Sequence, residues 1–127
     1  MIFQVGAALL DACVLSTLRH GDTYGYVLTQ TLMGTLEISE STLYPVLRRL
    51  QKDEFLSTYD SPHMGRNRRY YKITDKGMAR SNVYRVGWQE YKERVDSLIL
   101  SDIAPGGVNT GMGAGESASD EKGGRRS

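Results

Sequence analysis

The side chains able to do chemistry in this chain cluster between Ser39 and Lys76, where eight Lys or Arg stand against five Asp or Glu. From Ser39 to Lys52, Leu43, Leu47 and Leu50 recur at spacings of four and three, the buried stripe of a helix. Ser41, Thr42, Tyr44, Arg48, Arg49 and Lys52 lie around the rest. Cations neutralise a phosphate backbone and short hydroxyls donate to it without bulk, so the pattern points to nucleic-acid binding. A catalytic reading has little to stand on. No Ser/His/Asp or Cys/His set falls on converging elements, and no phosphate-cradling glycine loop joins a strand to a helix. His20 and His63 have no second ligand at metal spacing, and both read as solvent-facing or capping residues. No catalytic residue, metal or cofactor is expected.

These side chains need elements to hold them. Ser39 is placed to cap the helix and Glu40 to favour its positive end, while Pro45 removes one backbone bond and predicts a kink costing up to ~3 kcal/mol. The helix should fade near Asp53 and Glu54. Phe55 to Tyr59 and Arg68 to Ile73 then read as two strands, joined by a turn over Ser61 to Asn67 that contains Pro62 and Gly65. Its tip, Arg66, Asn67, Arg68 and Arg69, suits a wing that follows a backbone or enters a minor groove. Ahead of these lie a first helix over about Gln4 to Arg19, ended by a left-handed Gly21, and a second over Tyr24 to about Met33, capped by Thr23 and followed by a turn at Gly34 and Thr35. Helix, turn, helix, hairpin is the winged helix-turn-helix plan, a mainly α (α+β) fold.

Thr74 is placed to cap a long last helix. Along it Tyr84, Trp88, Tyr91, Val95 and Leu98 step by four, three, four and three, the spacing of a coiled-coil seam. A seam needs a second helix, and a second copy of the chain supplies one with two-fold symmetry. The expected organisation is therefore a DNA-binding domain over 1–74, a dimerisation helix over 75–103, and a disordered Gly/Ser-rich tail over 104–127, which lacks the apolar residues that offset ordering entropy.

At 127 residues and a formal charge of +1, the chain has room for one small domain, and the placing of cations matters more than their sum. Cys13 is the sole cysteine, so no internal disulfide forms; it reads as a small buried hydrophobe or, alternatively, a redox thiol. No cleavable leader and no membrane-spanning run is evident. The expectation is a soluble cytoplasmic protein.

Three segments carry a family resemblance: Thr23-Tyr24-Gly25-Tyr26, the run Ser41 to Leu50 (STLYPVLRRL), and Arg68 to Tyr71 leading through Lys72, Ile73, Thr74, Asp75 and Lys76 to Gly77. In this order and spacing the chain resembles the PadR-like transcriptional regulators, in particular their short, multidrug-responsive members, from Ala7 to Leu100. One departure is Asp53-Glu54-Phe55, where family members often carry a glycine. The resemblance implies that Tyr24 sits near the DNA backbone, although a core tyrosine is the other reading. It also implies that Trp88 lines a flat pore at the dimer centre and stacks on planar drugs, where seam spacing alone makes it an interfacial anchor.

Helical geometry and resemblance together assign Thr42, Tyr44 and Arg48 to bases, Ser39, Ser41 and Arg49 to phosphates, and Arg66, Arg68 and Arg69 to the flanking groove or backbone. The expected function is a homodimeric regulator, a repressor, on an inverted-repeat operator in double-stranded DNA. It would be released by a small aromatic or cationic effector at the seam. The alternative is a winged-helix module that binds protein; salt separates the two, because counterion release makes DNA binding fall steeply as salt rises.

Overall fold

The computed structural model describes residue 3 and residues 6–102 of the chain. In order it contains α1 (Ala7–Leu18), β1 (Thr23–Tyr24), α2 (Gly25–Leu36), α3 (Glu40–Lys52), β2 (Leu56–His63), β3 (Arg66–Ile73) and α4 (Asp75–Ile99). The three strands form one antiparallel sheet in the order β1-β3-β2. This is the expected α+β winged helix-turn-helix followed by a long helix. The tail expected over 104–127 lies outside the described residues, as do Gln4 and Val5 at the expected start of the first helix.

Aliphatic side chains from α1, α2 and α3 meet in one core, where Leu15, Leu18, Leu28, Leu43, Leu47 and Leu50 are each less than 2% exposed. Burial of each contributes about 1.5–3 kcal/mol relative to leaving it in water. In α3 the buried set is Leu43, Val46, Leu47 and Leu50, one stripe of a 3.6-residue period. Ser39 caps that helix, its Oγ accepting from the Thr42 amide at 3.3 Å. Pro45 sits inside α3 without ending it. The carbonyl its missing N–H leaves free belongs to Ser41, an exposed residue, so water can satisfy it and the expected cost is reduced.

Asp11 crosses this apolar core with a charge. Only 7% exposed, its carboxylate accepts from both terminal nitrogens of Arg49 in α3, at 2.6 and 3.0 Å, and from the Tyr84 hydroxyl in α4 at 3.4 Å. The bidentate fork fixes α3 against α1.

Several boundaries differ from those expected, each for a local reason. Thr23 does not cap α2. It pairs with Tyr71 as part of β1, its hydroxyl donates to the Gly21 carbonyl, and Tyr24 takes the N-cap position. Gly34 and Thr35 do not turn the chain, because α2 runs through them to Leu36 and ends at Glu37, whose φ is 56°. Gly21 adopts φ 142°, positive but outside the left-handed helical region. The wing is longer and its turn tighter: β2 reaches His63, β3 starts at Arg66, and Met64 (φ 51°) and Gly65 (φ 79°) alone connect them. Two positive φ values in a two-residue loop match the hand of strand twist. Arg66 to Arg69 therefore lie along β3 rather than at a loop tip. Pro62 is tolerated because β2 is an edge strand and Pro62 pairs with Asn67, one step from the closing pair His63 and Arg66, where no ladder amide is needed.

Between α3 and α4 the backbone is packed at minimum distance. Glu54, with φ 65°, ends α3 in a left-handed cap in which the Phe55 amide donates to the Leu50 carbonyl at 2.9 Å and the Glu54 amide to that of Gln51 at 3.0 Å. Thr74 Oγ1 then accepts from the Gly77 amide at 2.9 Å and donates to the Glu54 carbonyl at 2.7 Å. A Cβ on Gly77 would lie 1.9 Å from the Phe55 carbonyl oxygen. Only glycine fits there.

The described residues part into two compact units after Trp88. In the second, helix α4 runs on to Ile99, carrying an exposed Lys92–Asp96 pair at 3.3 Å, while Tyr91, Leu98 and Ile99 are exposed.

Three substitutions test this framework by chemical denaturation of the full chain. Gly77→Ala should cost about 2–3 kcal/mol, since the neighbouring backbone has to move; a loss under about 0.5 kcal/mol, the scale of an ordinary surface change, would contradict the tight approach. Glu54→Gly should add about 0.5–1 kcal/mol by relieving the positive φ. Asp11→Ala should remove about 1–3 kcal/mol, less than for a fully enclosed pair because Arg49 is partly exposed.

Candidate nucleic-acid interface

The exposed surface of α3 begins with a run of hydroxyls. Ser39 Oγ lies 2.9 Å from Ser41 Oγ and 3.2 Å from Thr42 Oγ1, and all three residues are exposed. Because a hydroxyl rotates, this set can offer donors to a phosphate without rearranging its heavy atoms. Tyr44, 37% exposed, and Arg48 follow one turn apart on the outward surface. The stripe opposite them is the buried leucine row, so the core that folds α3 also orients its polar face.

Arg49 departs from the expected set. Its two terminal nitrogens are engaged by Asp11, and hydrogen bonding to that carboxylate holds its pKa above the ordinary arginine value. We assign it to anchoring α3 rather than to a phosphate. The spacing of α3 alone could not distinguish Arg49 from Arg48. The missing signal was Asp11, the one charged residue of helix α1.

The wing presents two faces. On the inner one Tyr71 and Ile73 pack against the core. Burial pushes the Tyr71 phenol above its ordinary value, the Arg69 charge acts in the opposite direction, and Tyr44 adds to the rise. Tyr71 thus lies where wing and α3 adjoin, a role the sequence reading missed. Arg69 also faces Asp60 at 3.7 Å, with both side chains well exposed, a pair worth little in water. Arg66 and Asn67 are exposed beside the turn.

The outer face carries an aromatic stack that sequence reasoning also missed. Tyr59 and Tyr70, paired across β2 and β3, stack with centroids 5.4 Å apart and planes 9° from parallel. Tyr24, opposite Tyr70 on β1, meets it edge-on at 5.8 Å and lies 5.3 Å from His63. The Arg68 guanidinium sits 5.0 Å above the Tyr24 ring. The Tyr59 hydroxyl donates to Asp22 at 2.7 Å, which raises its pKa. Alternation along β3 could have revealed this face, because Arg66, Arg68, Tyr70 and Lys72 share it.

Of the expected seam residues, Tyr84 packs against the core of its own domain and reaches Asp11. Trp88 is 45% exposed, Tyr91 62% and Leu98 82%, and Val95 is half-buried. Cys13 is half-buried and burial pushes its thiol upward, which keeps it protonated at neutral pH. Among the described residues, no group of three or more His, Cys, Asp or Glu is placed to hold a metal ion, and no helix is long and apolar enough to cross a membrane.

Comparison with known proteins agrees with this geometry. The sequence profile of the transcriptional regulator PadR-like family matches residues 14–82. An uncharacterised protein of Lysinibacillus sphaericus is 35% identical over 95 residues, 71% of this chain and 87% of that protein. A crystal structure from Streptococcus mutans UA159 is similar at 37% identity with a TM-score of 0.74, covering 83% of this chain and 99% of the other. A PadR-like transcriptional regulator from Bacillus cereus strain ATCC 14579 is similar at 30% identity with a TM-score of 0.68, covering 74% and 94%. Matched over more than half its length and built as a winged helix with an outward hydroxyl and cation surface, the chain belongs to the PadR-like family of transcriptional regulators.

Proposed function

We propose that this chain acts in the cytoplasm as a homodimeric repressor whose two α3 helices enter successive major grooves of an inverted-repeat operator. Thr42, Tyr44 and Arg48 read base edges in this account, while Ser39, Ser41, Arg66, Arg68 and Arg69 hold phosphates or the flanking groove. The observation that carries the dimeric reading is the exposure of Trp88, Tyr91 and Leu98 along α4 in a single chain. Large apolar side chains repeating on one helix are normally covered, and a second α4 has the matching spacing.

Response to a small molecule follows from the same surface. A planar aromatic or cationic compound seated at Trp88 binds one inter-subunit angle better than another and so changes the separation of the two α3 helices. A coupling of about 1–3 kcal/mol changes operator affinity about 5–150-fold. Domain roles follow accordingly, with 1–74 reading DNA and 75–103 pairing the subunits.

Selection from a random duplex pool tests the DNA part. It should return an inverted repeat with half-sites about 34 Å apart, and affinity should fall steeply between about 50 and 200 mM salt. Tyr44→Ala should change which sequence is preferred; an equal loss on every duplex would remove Tyr44 from the readers. Affinity insensitive to salt would favour a protein-binding module instead. For Trp88→Ala, either the monomer-dimer equilibrium or the affinity for planar cationic dyes, read from the polarisation of the dye's own fluorescence, should change. Neither changing would remove its role.

A further inference from the structure

Resting on the DNA-binding reading, we propose that Tyr24 is a positioning residue whose ring, not its hydroxyl, presets the Arg68 guanidinium for a phosphate of bound DNA. An unrestrained arginine loses rotamer freedom when it grips a phosphate, and a planar guanidinium already stacked on a ring loses less. Arg68 has such a ring within reach: its Cζ lies 5.0 Å from the Tyr24 centroid, a cation–π distance. Its Nε is buried and has no hydrogen-bond partner among the described residues. With Nε enclosed, the terminal Nη atoms are the donors left for a ligand.

The ring that holds Arg68 is itself braced. Tyr70 meets it edge-on at 5.8 Å, His63 lies at 5.3 Å, and Tyr70 rests in turn on Tyr59 at 5.4 Å. Tyr59 is tied through its hydroxyl to Asp22, two residues before Tyr24. Backbone pairing of Tyr24 with Tyr70 fixes the near end of the ring to the strand that bears Arg68. Three rings and a short loop thus restrict where the guanidinium can point. A lysine at this position keeps the charge but cannot lie flat on the ring as a guanidinium does.

The test is equilibrium binding of the full chain to its selected duplex across a salt series. Tyr24→Phe should keep both wild-type affinity and wild-type salt slope. Tyr24→Leu should weaken binding while keeping the wild-type slope, since the Arg68 charge remains, whereas Arg68→Ala should weaken it further and reduce the slope by about one. The double variant should bind no more weakly than Arg68→Ala alone. Loss on Tyr24→Phe equal to that on Tyr24→Leu would assign the contact to the hydroxyl and overturn the proposal, as would wild-type affinity in Tyr24→Leu. Should Tyr24→Leu fail to fold, the Arg68 Nε–H resonance of the wild-type chain decides. Ring current should move it upfield of those of Arg66 and Arg69, and coincidence with them overturns the stacking. If the wild-type chain binds no duplex at all, the DNA reading fails, while this resonance still reports separately on whether Arg68 is held.

Discussion

The contact on which the winged helix depends is the approach of α4's first turn to the backbone that leaves α3. Gly77 lies against the Phe55 carbonyl, Thr74 bridges the Gly77 amide to the Glu54 carbonyl, and the Lys76 ammonium reaches the Asp53 carbonyl at 2.9 Å. Three consecutive carbonyls at the exit of α3 are thereby held by Thr74 and the first turn of α4, the Phe55 carbonyl accepting from the Thr74 amide at 3.2 Å. Packed backbone does not deform continuously, so any displacement of this turn is passed to the base of the wing and the end of α3.

A second joint ties the same helices by charge. Asp11 receives Arg49 from α3 and Tyr84 from α4, so the acid contacts both elements from within the α1 surface. Burying a carboxylate is costly unless it is paired and hydrogen-bonded, and here three donors meet that condition. The arrangement uses an arginine of the α3 surface for structure and leaves Arg48, one residue earlier, exposed. Two adjacent cations of the same type thus have different tasks, set by the helical angle between them.

Much of this was legible in the sequence where periodicity or capping chemistry fixes the answer. Leu43, Leu47 and Leu50 defined the buried side of α3, Ser39 its start, and Thr74 the start of α4. What was not legible depended on partners distant in sequence. Asp11 and Arg49 are 38 residues apart, and nothing local marks them as a pair. The two-residue wing turn was obscured because Met64 occupies a positive φ that Asn or Asp more commonly takes. Thr23 reads as a cap by type, but strand pairing with Tyr71 claims it. The missing family glycine near Asp53 is explained by Glu54, which adopts the left-handed conformation at φ 65° in its place.

The central claim is that two such winged helices act as one unit, with their α4 helices covering each other's exposed Trp88, Tyr91 and Leu98. Sedimentation equilibrium of the full chain, alone and with a fluorescent duplex carrying the selected inverted repeat, tests it most directly. The expected result is a dimer at concentrations where the duplex is half-saturated and a complex of two chains per duplex. A monomer that saturates the same duplex with one chain, at undiminished affinity, would contradict it.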